Sequence, residues 1–92
     1  MKLIDWKIAK SSNGPRAGTY AVLRYDVTTR TGDSVVWRVI IPRSARTSEK
    51  MRVRARLAMR TKFTLAFGRG LTNDERKQIW TDFATVPFEA AQ

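Results

Sequence analysis

The stretch MRVRARLAMRTKFTLAF, residues 51–67, decides the fold, because its composition and its periodicity point to different structures. Ala, Arg, Met and Leu are good helix formers, and Thr47 or Ser48 is placed to cap a helix here. At period two, however, eight of the nine odd positions are apolar, and five of the eight even positions carry Arg or Lys. On a helical wheel the apolar residues spread around the circumference, so the periodicity favours a strand.

A straight strand of this length would be too long for the chain. At about 3.3 Å per residue it would span about 56 Å, whereas a domain of this size has a radius of gyration of about 12 Å. We therefore expect the strand to bend, to break near residues 58–61, or to project. Residues 1–92 are predicted to form a single domain with a basic loop or arm at about residues 42–60.

Three shorter strands are predicted before this stretch, from alternating apolar residues and from β-branched and aromatic residues. They cover residues 2–8, 19–30 and 35–41. Thr31-Gly32-Asp33 is a hairpin turn between the second and third strands. The loop at residues 11–18 has Asn13-Gly14 as its turn signal.

One helix is predicted after Gly68-Arg69-Gly70, because Thr72 and Glu75 have the spacing of a capping box. The helix runs to about Thr85. Its apolar face is expected to pack on the sheet, and three tryptophans are predicted to be core residues: Trp6, Trp37 and Trp80. The predicted fold class is α+β, a two-layer antiparallel sheet of four strands, or five if the fourth breaks, in a meander followed by one C-terminal helix. This order of elements resembles that of the single-strand-binding modules of Whirly and Pur-type proteins.

The positive charge of the chain is concentrated in its middle. The 92 residues include 18 Lys and Arg against 8 Asp and Glu, a formal net charge of +10, and ten of the basic residues lie between residues 38 and 69 with one Glu. Arg outnumbers Lys by twelve to six. Because the guanidinium fork binds phosphate bidentately and also stacks on bases, this pattern favours a polyanionic partner over a merely solvated surface.

Several kinds of chemistry are excluded by composition. The chain has no Cys and no His, so disulfides, thiolate nucleophiles, imidazole bases and Cys/His zinc sites are ruled out. Asp5, Asp26 and Asp33 are scattered, so we expect no two-metal site, no metal and no cofactor. The apolar runs are too short to span a membrane, and Asp5 and Lys7 interrupt any signal peptide. The expected location is the cytoplasm of a bacterium, or of the host cell if the protein is viral.

The candidate nucleic-acid interface lies on the predicted fourth strand. Arg52, Arg54 and Arg56 would share one face, at about 6.6 Å from one side chain to the next, close to the spacing of successive phosphates in an extended backbone. The other predicted contacts are Arg38, Arg43, Arg46, Arg60, Lys62 and Tyr20. Tyr20 would add surface on which bases stack. The alternative is an edge strand whose arginines only prevent aggregation.

The function predicted from these residues is sequence-tolerant binding of the phosphate backbone of single-stranded DNA or RNA through an Arg-rich sheet face. A homodimer is expected to cover the remaining apolar surface. The alternative is a small phage-type inhibitor, anti-CRISPR-like, that docks on an acidic or nucleic-acid-binding surface of a host protein. A lesser alternative is a RelE-like ribonuclease toxin, because such enzymes use Arg, Lys and Tyr without an essential His. Their family pattern interposes helices between the first strand and the sheet, so we expect a binding protein and not an enzyme.

Overall fold

Three antiparallel strands and two long helices form the fold in a computed structural model, which describes residues 1–12, 14 and 17–91. The elements are β1 (Lys2–Ser11), β2 (Gly18–Thr28), β3 (Ser34–Pro42), a 3-10 turn (Arg43–Arg46), α1 (Glu49–Phe67), α2 (Asn73–Ala84) and a second 3-10 turn (Phe88–Ala91). The strand order β1-β2-β3 makes β2 the central strand. The three predicted strands, the hairpin turn and the capped helix are therefore confirmed. The Asn13-Gly14 turn includes Asn13, which lies outside the described residues.

The prediction of four or five strands with a single C-terminal helix is wrong, because residues 49–67 form α1 and the sheet has three strands. Ser48 caps α1 by accepting a hydrogen bond from the Met51 amide, and Gly68 ends it with a left-handed φ of 67°. The range expected as a loop or arm, 42–60, comprises the end of β3, the 3-10 turn and the first half of α1. With this order of elements the resemblance to Whirly and Pur-type modules no longer holds.

The buried side of α1 explains why a period of two was misleading. The residues that pack against the core recur every four positions: Met51, Ala55, Met59, Phe63 and Phe67. Every fourth residue from position 51 is also an odd position, so this narrow row alone fills five of the nine odd positions with apolar side chains. The remaining apolar odd positions face solvent, since Val53, Leu57 and Leu65 are 37%, 53% and 82% exposed.

The core lies between one face of the sheet and the two helices. Trp37 of β3 is buried, as predicted, and its ring meets Phe63 of α1 edge-on, with the ring centroids 5.0 Å apart. The hydroxyl of Tyr25 on β2 donates to Asp82 Oδ2 of α2 at 2.8 Å. Burial, together with this contact to a carboxylate, raises the pKa of the Tyr25 phenol. One helix is thus tied to the edge strand β3 and the other to the central strand.

A β-bulge in β1 changes which of its residues face the helices. The register passes from Leu3 opposite Tyr25 to Asp5 opposite Arg24, so the alternation shifts by one residue. Ile4 therefore becomes 45% exposed. Trp6 keeps the inner face but lies on an edge strand and is 43% exposed, so the prediction that Trp6 is a core residue is wrong.

The turn between the helices is held by an Arg–Glu pair. Arg69 Nη1 and Nη2 donate to the two carboxylate oxygens of Glu75 at 2.8 and 2.9 Å, while its guanidinium lies 4.8 Å from the ring centroid of Phe63. Glu75 also accepts from the Thr72 amide and so completes the capping box of α2. These contacts account for Gly68-Arg69-Gly70 as a structural turn that sets the position of α2 relative to α1.

We expect Glu75→Gln to reduce the stability at neutral pH by about 1–2 kcal/mol, because it removes charged hydrogen bonds and weakens the helix cap. The Arg69 hydrogen bonds hold the pKa of Glu75 at about 2, against an ordinary value of 4.5. A lowered pKa stabilises the fold above pH 4.5, and this contribution is lost as the pH falls towards 2.

Urea unfolding at a series of pH values checks this expectation. The stability difference between the wild type and Glu75→Gln should shrink as the pH falls from 4.5 towards 2. Glu49→Gln, in the exposed first turn of α1, is the matched control. If the difference in unfolding free energy between the wild type and Glu75→Gln stays constant over this pH range, the assigned pairing of ionised Glu75 with Arg69 is wrong.

Candidate nucleic-acid interface

The arginines of α1 form a different row from the one that a strand would make. Residues two positions apart differ by about 200° around a helix, so Arg54 lies on the side opposite Arg52 and Arg56. The row of three arginines predicted on one strand face is therefore absent. Arg52, Arg56 and Arg60 instead recur every four residues, with a rise of about 6 Å per step. This rise still matches the distance between neighbouring phosphates in an extended strand.

A groove between α1 and α2, which we call the helix groove, contains two open depressions that share Trp80. One has a volume of about 370 Å³ and is lined by Ala45, Arg46, Arg52, Trp80, Phe83 and Ala84. The other has a volume of about 540 Å³ and is lined by Arg56, Asn73, Arg76, Lys77, Trp80 and Thr81. The lining residues include five cationic side chains and no carboxylate, so the groove has a positive potential.

Two of the groove arginines are oriented by neighbouring oxygen atoms. Arg52 donates through Nε to the carbonyl of Ala45 and through Nη2 to the carbonyl of Arg46, each at 3.2 Å. Arg76 donates to the side-chain oxygen of Asn73. In the described part of the chain, the ion pairs do not involve Arg56 or Lys77. Carbonyl and amide oxygens fix these guanidinium groups without cancelling their charge.

The predicted contacts Arg43 and Arg46 lie in the 3-10 turn and hold the C-terminal segment. Arg46 Nη2 donates at 2.6–3.1 Å to three carbonyl oxygens, those of Phe83, Ala84 and Val86. Its guanidinium also lies 4.6 Å from the centroid of the Phe88 ring. Arg43 Nη2 is 3.7 Å from a carboxylate oxygen of Glu89. Because Arg46 satisfies the end of α2, we assign it to the fold and not to the interface.

Two predicted contacts, Tyr20 and Arg38, lie on a second basic surface, the sheet face, which is the side of the sheet turned away from the core, and Lys62 of α1 borders it. Tyr20 and Lys62 line one depression of about 430 Å³, which also contains Val22. Arg38 lines an adjacent depression of about 350 Å³, which Val22 shares. The structure thus brings these three residues near one another, but separates them from Arg52 and Arg56.

An ion pair reduces the charge of the sheet face. Arg24 Nε donates to Asp5 Oδ1 at 2.7 Å, and Arg24 Nη2 contacts the other carboxylate oxygen. Hydrogen bonding to the Arg24 guanidinium lowers the pKa of Asp5, so the carboxylate stays ionised beside its partner. Arg24 is therefore less available to a phosphate than the arginines of the helix groove.

The sequence prediction missed Arg76 and Lys77 of the helix groove and assigned Trp80 to the core, whereas Trp80 is only partly buried and also lines the groove. A signal for them was present, because Arg76 and Trp80 are four positions apart on a correctly predicted helix and thus share a face. The sequence did not show where this face of α2 lies relative to α1. That position depends on the packing of both helices against the sheet.

The described residues, 1–12, 14 and 17–91, contain neither a metal-ion site nor a membrane-spanning helix. Within these ranges no group of three or more His, Cys, Asp or Glu residues is arranged to hold a metal ion. Neither α1 nor any other helix in them has the length and apolar character needed to cross a membrane. No protein-family model, curated protein or solved structure matches the chain.

Proposed function

We propose that the protein binds the phosphate backbone of nucleic acid in a sequence-tolerant manner and that the helix groove is the interface. The observation that carries this proposal is the meeting of Arg56 from α1 with Arg76 and Lys77 from α2 around one open depression that no carboxylate lines. Guanidinium and ammonium groups gathered in this way recognise phosphate by charge and do not read base edges. A backbone that follows the groove would also pass Arg52.

The helix groove suits a polyanion better than the sheet face does. On the sheet face the Asp5–Arg24 pair removes one cation, and exposed aliphatic side chains lie nearby, with Val36 57% and Ile40 48% exposed. Aliphatic side chains make no favourable electrostatic contact with a phosphate group. Val36 and Ile40 are instead the kind of surface that the expected homodimer would cover.

We propose a binding protein and not a ribonuclease. A RelE-like mechanism would need a tyrosine beside the arginines that hold the backbone. The chain has two tyrosines. Tyr20 lies on the sheet face, and Tyr25 is buried with its hydroxyl bonded to Asp82. Neither is positioned to take part in chemistry on a strand bound in the helix groove.

The affinity for a labelled mixed-sequence oligonucleotide, measured by fluorescence anisotropy at several salt concentrations, tests this proposal. Each phosphate neutralised in a single strand contributes about −0.7 to the slope of log K against log salt. Contacts from Arg52, Arg56, Arg76 and Lys77 therefore predict a slope of roughly −3. Affinities should also be similar for unrelated sequences. A flat salt dependence, or strong preference for one sequence, would be incompatible with backbone binding in the helix groove.

A second candidate function is docking on an acidic protein surface, as in the inhibitor alternative. It is favoured by the far side of α1, where Leu57 and Leu65 are 53% and 82% exposed on the same helix as Lys50 and Arg54. Apolar side chains among cations fit a protein partner with an apolar centre and an acidic rim. This candidate predicts negligible affinity for naked oligonucleotides in the same anisotropy experiment.

A further inference from the structure

Trp80 occupies the centre of the helix groove and is shared by both of its depressions. It is partly buried, and its ring packs edge-on against Phe83, with the centroids 5.8 Å apart and the planes at 80°. Arg52 lines the depression on one side of Trp80, and Arg56 and Arg76 line the depression on the other. An indole that borders solvent in this position has cationic groups on both sides.

We propose that Trp80 stacks on an unpaired base, so that the helix groove accepts a single strand in preference to a duplex. This inference rests on the proposed function. In a duplex the bases are stacked on one another, and a groove that contacts the backbone meets only phosphate and sugar. In a single strand a base can turn towards the indole while the phosphates before and after it reach the cations on either side.

The packing of Trp80 supports this role. Because its edge contact with Phe83 and its position in α2 hold the ring in place, little side-chain entropy is lost when a base stacks on it. Base–aromatic stacking contributes about 1–3 kcal/mol per base and is tolerant of sequence, because every base has a π face. Stacking on Trp80 is therefore consistent with backbone binding that does not select a sequence.

Two substitutions separate stacking from packing. Trp80→Phe keeps an aromatic face, whereas Trp80→Leu keeps an apolar side chain and removes the π system. We expect Trp80→Leu to weaken binding of a short labelled DNA strand by about 5- to 150-fold, the equivalent of about 1–3 kcal/mol. Trp80→Phe should retain most of the affinity. The wild type should bind the single strand more tightly than the same strand annealed to its complement.

Circular dichroism establishes that each variant is folded, and anisotropy at one salt concentration measures its binding. Equal affinity of the wild type for strand and duplex, or equal losses for Trp80→Leu and Trp80→Phe, would overturn the stacking inference while leaving backbone binding intact. If Trp80→Leu does not fold, two measurements still test the inference: the wild-type affinity for the single strand compared with the duplex, and the affinity of Trp80→Phe for the single strand. Absence of wild-type binding to either form would instead refute the proposed function, and the stacking inference with it.

Discussion

Phe63→Ala is expected to lower the free energy of unfolding by about 3–5 kcal/mol, because it leaves a cavity where α1 packs on the sheet. Phe63 is fully buried, with its ring centroid 5.0 Å from that of Trp37 and 4.7 Å from that of Phe67. The Arg69 guanidinium also rests on this ring. A small domain has a total stability of about 5–15 kcal/mol, so one substitution removes a large part of it.

Urea unfolding followed by circular dichroism measures this loss, and Leu65→Ala is the matched control. Leu65 is two positions away and 82% exposed, so its removal should change the stability by less than about 0.5 kcal/mol. In a strand, residues 63 and 65 would share one face and their substitution would have similar effects. Similar large losses for both variants would therefore contradict the helical assignment of α1.

Local signals were sufficient to predict most of the other elements. β2 and β3 pair without a register shift and are joined by a turn in which Gly32 has a φ of 86°. Thr72 and Glu75 form both hydrogen bonds of a capping box. The residues that determine each of these strands, turns and helix caps lie within a few positions of one another, so the sequence alone was sufficient to predict them.

The structure of α1 could not be predicted from periodicity, because its two sides do not differ in hydrophobicity. The buried row is only one residue wide, and the exposed side carries Val53, Leu57 and Leu65. A helix usually shows a broad apolar stripe, and here that stripe is absent. The better indicators were the helix propensity of the residues and the caps at Ser48 and Gly68.

The sequence predicted only part of the candidate site. The net charge of a segment does not show where its individual charged side chains lie in the folded structure. Arg52 and Arg56 were predicted as contacts and line the helix groove, but α2 lies outside the basic segment 38–69, and none of its residues was predicted as a contact. None of its three acidic residues lines the helix groove, and two of them have other partners: Glu75 pairs with Arg69 and Asp82 accepts from Tyr25. Arg76 and Lys77 of α2 therefore line the helix groove opposite Arg56 of α1 without a carboxylate beside them. Such a separation of charges within one helix arises from tertiary packing.

The second large effect is expected for the double variant Arg56→Glu/Arg76→Glu, which replaces one cation on each wall of the helix groove by a carboxylate. Both guanidinium groups line the same depression, so a bound phosphate would meet repulsion from two sides. We expect the affinity for a single-stranded oligonucleotide to fall by about 100-fold, or about 2.8 kcal/mol. The salt dependence should also become shallower, because fewer counterions are released on binding.

Arg38→Glu/Arg54→Glu is the control that separates a specific interface from general basicity. It lowers the formal net charge from +10 to +6, as the first variant does, but places the new carboxylates on the sheet face and on the far side of α1. At physiological salt, charges more than about 8 Å from the bound strand are largely screened. Remote substitutions should therefore have little effect on the affinity.

Anisotropy titration of the wild type and these two double variants with one oligonucleotide, at one salt concentration, decides whether the helix groove carries the binding. We predict a loss of about 100-fold for Arg56→Glu/Arg76→Glu and of about threefold or less for Arg38→Glu/Arg54→Glu. Equal losses would show that binding reflects only the overall charge. A larger loss for Arg38→Glu/Arg54→Glu would place the interface on the sheet face or the far side of α1 and contradict the assignment to the helix groove.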